Sequence, residues 1–362
     1  MRYVDIAIFL FALFLASCKS AESDNAAKGE YITEASLLDV SEGDGYTLVK
    51  VYDPWNRGKQ LDSYVLVPRG TSPDSLPEGT RIEVPLQSAV VYSSVHGTGI
   101  AMLGASDAIS GVTDAQYFTP LPNDKVVDLG SSLSPSVEKL LTLSPDAILL
   151  SPYQNSGFGE IATLGVPIVQ MADYMENTPL GRAEWMKLLG LLFGKREKAD
   201  SIFNAVSRRY NDLRVKVQSS ASHRPKVITE QLTSGVWYVP GGNSYMANML
   251  RDAGADYPWS DDKSTGSLQL NIEQVLSVAP DADFWLVRTF GYDETKENML
   301  AASPMYRYIK AFDNDGIYCC NSARTNIFDL IAFRPDSVLS EYVSIFHPSL
   351  IDHAPQFFQK VK

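Results

Sequence analysis

Between Lys195 and Gln218 the chain reads KREKADSIFNAVSRRYNDLRVKVQ, and its apolar residues Ala199, Ile202, Phe203, Val206, Tyr210, Leu213 and Val217 recur every three or four positions. That spacing puts them on one stripe of an α-helix, with charge on the opposite face. A continuous helix of this length runs roughly 36 Å at 1.5 Å per residue, about the width of a small domain. The pattern therefore predicts a spine. Similar sequence stands on both sides of it. Residues 136–147, SVEKLLTLSPDA, and 271–282, NIEQVLSVAPDA, align without gaps, placing Glu138 on Glu273, Leu141 on Leu276, Pro145 on Pro280 and Asp146 on Asp281. Each block runs into a short apolar segment, 148–150 (ILL) or 284–287 (FWLV). The chain reads as two related lobes joined by one helix.

The remaining patterns fill in the lobes. Residues 31–87 alternate apolar and polar positions, as in 46–52 (YTLVKVY), between Gly, Asp and Pro clusters, which predicts a β-rich extension packed on the first lobe. Over 88–180 we expect strands at 89–92, 126–129, 147–150 and 166–169. Helices should follow the loop at 93–98, carry Glu138, and span 158–164. A linking helical region covers 181–218. The second lobe, 219–362, repeats the plan with a strand at 226–230, a Gly- and aromatic-rich loop at 234–243, a helix at 244–252 and the helix carrying Glu273. Pro335 starts a closing helix and Pro348 ends it. Strands alternating with helices predict an α/β fold of two Rossmann-like lobes with mainly parallel sheets, in which ligands meet the loops after the strands.

Composition bounds the function. The 362 residues suffice for two domains, and 45% hydrophobic content is ordinary for a globular chain. A net charge of −12 argues against a nucleic-acid partner, which would need clustered Lys and Arg. Residues 4–17, VDIAIFLFALFLAS, have the length of a signal-peptide core and are short for a membrane span. They end at Cys18, and residues 15–18 (LASC) resemble the lipobox of bacterial lipoproteins. That likeness implies lipidation at Cys18, export and a membrane anchor. Polar residues 19–30 then read as a flexible tether. Cys319 and Cys320 are adjacent, a poor arrangement for zinc, and are expected in a half-buried strand.

Together, the lipobox, the two lobes bridged by one helix, the paired blocks ending in Pro-Asp-Ala and the closing RPDSVLSEYVSIFHP resemble the substrate-binding proteins of ABC importers for ferric siderophores, haem and vitamin B12. The resemblance covers residues from about 82 to 350. It implies a receptor that performs no chemistry, carries no cofactor and hands a metal chelate or tetrapyrrole-like ligand to a permease dimer. Glu138 and Glu273 match the glutamates with which that family docks on its permease. A Glu in the first turn of a helix also gains ~0.3–1 kcal/mol from the macrodipole. Equivalent placement on two lobes, however, suits a two-fold partner.

The ligand would lie between the lobes, against Ser94, His96, Thr98 and Tyr117 from the first and Trp237, Tyr238, Tyr245, Trp259, Arg288 and Tyr292 from the second. Aromatic faces suit a large flat or chelated ligand, and an arginine suits its carboxylate or phosphate. Trp237 and Tyr238 stand out because they precede Pro240-Gly241-Gly242, where bulky core packing is less expected. His96 is the candidate metal ligand. None of the four histidines has paired ligand spacing, and a bare metal-ion receptor stays as the alternative. Enzyme motifs are missing: there is no GxSxG or GxxxxGK[ST], and Met102 takes the third glycine position after Gly97-Thr98-Gly99. A hydrolase built on Ser94 and His96 would need an acidic partner within reach of His96.

Overall fold

The computed structural model describes residues 31–362 except position 156, so the apolar segment 4–17, Cys18 and the tether lie outside the described residues. The chain opens with β1 (Leu38–Gly43), β2 (Tyr46–Tyr52), β3 (Gln60–Pro68) and β4 (Thr80–Val84). They form one sheet in chain order, antiparallel except for the parallel β3–β4 pair. Its inward side chains, among them Val40, Val49, Leu66 and Ile82, join a single apolar cluster with Ala89, Val91 and Leu149 of the first lobe. The sheet is welded to that lobe by polar contacts as well: the Tyr64 hydroxyl accepts the backbone N–H of Gln170 at 2.8 Å.

The first lobe contains β5 (Ala89–Val91), α1 (Ser94–Met102), β6 (Ile109–Val112), β7 (Val127–Asp128), α2 (Val137–Leu143), β8 (Ala147–Leu150) and β9 (Ile168–Gln170). The sheet order is β7-β6-β5-β8-β9, all parallel. Every residue of β5 and β8 is buried, as strands covered on both faces must be. The helix expected at 158–164 is a single 3₁₀ stretch, Gly159–Thr163, begun by a glycine with φ of 56°.

Three helices follow: α3 (Pro179–Glu184), α4 (Met186–Leu192) and α5 (Arg196–Ser220). The last is the spine. Ala199, Phe203, Val206, Tyr210 and Val217 are its buried residues, as the periodicity predicts. Ala199 belongs to the core of the first lobe, whereas Tyr210 and Val217 belong to that of the second, so one stripe serves both.

The second lobe comprises β10 (Val227–Thr229), β11 (Leu232–Thr233), β12 (Val236–Pro240), α6 (Tyr245–Asp252), β13 (Ser267–Leu270), α7 (Ile272–Val278), β14 (Phe284–Thr289), α8 (Lys296–Ala302), α9 (Lys310–Asp313), β15 (Ile317–Asn321), α10 (Ile327–Phe333), α11 (Pro335–Phe346) and β16 (Gln359–Lys360). Strands β10, β14 and β15 run parallel, with β16 antiparallel at the edge, and β11-β12-β13 form a separate antiparallel sheet. Helix α10 crosses back: Ala332 and Phe333 sit in the core of the first lobe, and Ile327 and Ile331 in that of the second. Cys319 and Cys320 are free and buried in β15. Neighbouring strand residues point to opposite faces, and the two thiols accordingly enter different apolar clusters.

Candidate ligand-binding cleft

The chain leaves β5 toward β6 and leaves β8 toward β9, in opposite directions across the sheet. Loops after such a pair part and leave a crevice at the carboxyl ends of the strands. A cavity of about 650 Å³ lies there, walled by Tyr92, Ser93 and Ser94 after β5, Asp114, Tyr117 and Phe118 after β6, residues 132–135 and Val137 before and in α2, and Tyr153, Phe158 and Glu160 after β8. The Tyr92 hydroxyl is buried without a hydrogen-bond partner, and burial pushes its pKa up to about 12.

A polar network adjoins the cavity through Ser94. Ser94 and Thr98 are one turn apart on α1, and their hydroxyls donate to the two oxygens of Asp329 at 3.0 and 3.1 Å. Asp329 lies on α10, so the contact ties the first lobe to the C-terminal helices. Burial raises the carboxyl pKa of Asp329, and the two hydroxyls oppose that shift. His96 is in α1, not in a loop, and is buried with Nε2 2.9 Å from Asp173 Oδ1. Asp173 Oδ2 accepts from Arg182 Nε at 3.1 Å, and the Arg182 guanidinium lies 4.6 Å from the centre of the Tyr245 ring. Burial pushes the Asp173 carboxyl up, but its contacts with His96 and Arg182 hold it below the usual carboxylate range.

His96 thus has an acidic partner, yet Ser94 bonds to Asp329 and the His96 Nδ1 atom has no partner, so no serine–histidine relay exists. Gly97 and Gly99 are glycines for packing: a Cβ would stand 2.7 Å from the Phe118 ring at Gly97 and 2.6 Å from the Phe333 ring at Gly99. Among the described residues, no group of three or more His, Cys, Asp or Glu is placed to hold a metal ion.

The second lobe corrects several expectations. The predicted loop 234–243 contains β12, where alternation turns Trp237 and Val239 inward and leaves Tyr238 exposed. Trp237 is fully buried, stacks on Trp285 at 5.3 Å and donates its indole N–H to the Thr229 carbonyl at 2.8 Å. It is core, not cleft wall. The glycines that suggested an open loop approach backbone closely: a Cβ at Gly242 would lie 2.3 Å from the Trp259 carbonyl oxygen. Trp259 is half-buried, edge-on to Tyr257 at 5.5 Å. Arg288 is already engaged, its Nε donating to Glu230 at 2.8 Å, its Nη2 bonding the same oxygen, and its guanidinium 5.4 Å from the centre of the Phe328 ring. Burial lowers the pKa of Arg288, but Glu230 more than reverses this, so it stays charged and paired.

Of the sequence candidates, Ser94 and Tyr117 reach the cavity, and Thr98, His96 and Tyr245 belong to the adjoining network. Tyr292 is exposed, with its hydroxyl 3.4 Å from Gln231. Tyr92, Asp114, Leu133, Tyr153, Phe158 and Glu160 line the cavity but were not among the candidates. Their common signal is position in the segments that follow β5, β6 and β8 or just ahead of α2. Glu138 and Glu273 are exposed, each the second residue of a seven-residue helix whose N-cap side chain, Ser136 or Asn271, accepts a backbone N–H of the first turn.

Residues 89–323, well over half of the chain, match the model of a family described as "Periplasmic binding protein". The chain belongs to the periplasmic binding protein family. An uncharacterized lipoprotein of Methanocaldococcus jannaschii is 29% identical over 286 residues, covering 74% of this periplasmic binding protein and 66% of the relative. An iron-uptake system-binding protein of Bacillus subtilis is 23% identical over 205 residues, 54% of this chain and 61% of that one. Among solved structures, a periplasmic haem-binding protein from Pseudomonas aeruginosa superposes with a TM-score of 0.60 at 18% identity, covering 76% of this chain and 98% of that one. That likeness concerns the two-lobe fold. Membership makes the molecule a binding protein, not an enzyme.

Proposed function

We propose that this periplasmic binding protein is the receptor of an ABC importer. It captures an iron-siderophore, haem or corrinoid between its lobes and delivers it to a permease dimer at the extracytoplasmic face of a membrane, to which Cys18 anchors it by lipid. The observation that carries the reading is the aromatic cavity of about 650 Å³ at the switch point of the first sheet. Its size falls in the range of small-molecule sites, ~300–1,000 Å³, and its mix of rings with a few hydroxyls is what a bulky organic chelate needs. Support for importer and anchor comes from the names of relatives, one a lipoprotein and one serving iron uptake.

The cavity sits on the first lobe alone, while Tyr117 and Phe290 bring rings from both lobes together at its edge. A ligand seated among Tyr117, Tyr153 and Phe158 would gain contacts when the second lobe leans in about α5. One stiff helix restrains that motion to a small hinge. The test is a titration of the purified protein, followed by tryptophan fluorescence and calorimetry, against metal chelates, tetrapyrroles and bare Fe³⁺, Zn²⁺ and Mn²⁺. Saturable binding of a chelate or tetrapyrrole supports the reading. Binding of a bare ion alone would move the function to metal-ion capture.

A further inference from the structure

We infer that the cavity selects metal chelates of zero or positive net charge and rejects anionic ones. The inference rests on the reading of this cleft as a chelate site. Among the described residues, no Lys, Arg or His lines the cavity, whereas two carboxylates, Asp114 and Glu160, do. Asp114 Oδ2 accepts the backbone N–H of Ser132 at 3.0 Å, which fixes its carboxylate in the wall. Glu160 is exposed at the rim, in the first turn of the 3₁₀ stretch after β8.

The arginines around the cleft do not change this balance, because each faces a carboxylate of its own. Arg182 is bound by Asp173, Arg288 by Glu230 and Arg324 by Asp293. The loop after β14, which brings Phe290 to Tyr117, adds Asp293 and Glu294, only one of them matched by Arg324. An anionic chelate would therefore lose water and meet no cationic side chain among the described residues of the wall. It would also share the cavity with the carboxylates of Asp114 and Glu160, a repulsion amounting to about tenfold in affinity. A neutral or cationic chelate keeps the aromatic contacts without that cost, and a cationic one gains from both carboxylates.

The experiment compares four probes on the purified protein at low and high salt: ferrioxamine B, a cationic ferric trihydroxamate; cyanocobalamin, uncharged overall; ferric enterobactin, an anionic tris-catecholate; and haemin, with its propionates. At least one of the first two is expected to bind about tenfold or more tighter than either anion. Glu160→Lys is expected to shift affinity toward the anions, weakening ferrioxamine B by about tenfold and changing cyanocobalamin less than twofold. An anion that binds wild type as tightly as the other two overturns the charge inference and leaves the chelate reading standing. Ferrioxamine B binding that ignores Glu160→Lys removes Glu160 as the selecting charge. No binding of any probe, from protein with an intact melting transition, overturns the chelate reading and this inference with it.

Discussion

The ring of Tyr117 meets the ring of Phe290 edge-on, with centroids 5.7 Å apart and planes at 69°. Tyr117 follows β6 of the first lobe and Phe290 follows β14 of the second, so the contact joins the lobes where both parallel sheets present their carboxyl ends. Such pairs contribute ~0.5–1.5 kcal/mol beyond the area they bury, and these two rings are more than half exposed, which favours the lower end. A double-mutant cycle of Tyr117→Ala and Phe290→Ala by urea unfolding is expected to give a coupling of about 0.5 kcal/mol. Additive losses would mean that the lobes stand apart in solution.

The burial of Trp237 separates core from site. Trp237→Phe removes the N–H bond to the Thr229 carbonyl and part of the stack on Trp285, and should destabilise the protein by about 1–3 kcal/mol while leaving ligand affinity within twofold. Tyr153, on the cavity wall and largely exposed, should behave the other way: Tyr153→Ala weakens binding about tenfold with a stability change within about 0.5 kcal/mol. Thermal melts and calorimetry on the two variants read both numbers. A large affinity loss for Trp237→Phe would return its ring to the cleft.

These two residues also show where the sequence is legible. The spine, the paired helices and strands such as 147–150 follow from periodicity, because burying one stripe or one apolar run dictates a single local answer. Trp237 does not, since a strand of alternating residues beside two glycines reads like an open loop until the backbone of residues 259–266 is seen against those glycines. His96 and Arg288 mislead for a related reason. A charged or polar side chain looks available in sequence, but its partner, Asp173 or Glu230, lies 77 or 58 residues away. The cavity depends on which way the chain turns out of β5 and β8, a property of strand order that residue types do not encode.

Glu138 and Glu273 give a prediction that depends on function alone. Both are exposed at the second position of their helices, so reversing both charges disturbs little beyond a dipole term of ~0.3–1 kcal/mol each. Glu138→Lys with Glu273→Lys is expected to abolish ligand uptake in proteoliposomes carrying the permease and to leave the affinity of the free receptor unchanged. Lost ligand binding in the double variant would contradict the docking role.

The start of the described chain is held by a buried carboxylate whose charge can be tested by pH. The Glu184 oxygens accept the backbone N–H groups of Thr33, Glu34 and Ala35 at 3.0, 2.6 and 2.8 Å and pair with Lys187 Nζ at 2.8 Å. Burial pushes its pKa up, but Lys187 and the three amides pull harder, and the folded value lies below the ordinary 4.5. A depressed carboxyl adds stability that is fully present above the unfolded value and is lost as pH falls through the folded one. Glu184→Gln keeps the shape but leaves Lys187 facing a neutral group in the interior, and should destabilise the protein by about 3 kcal/mol at pH 7. As pH falls below 4.5 the wild type gives up what the variant never had, so the gap between them narrows. Urea unfolding of both proteins from pH 7 down to 3.5 measures that gap, and a gap that stays constant would show that shape, not charge, holds residues 33–35 in place.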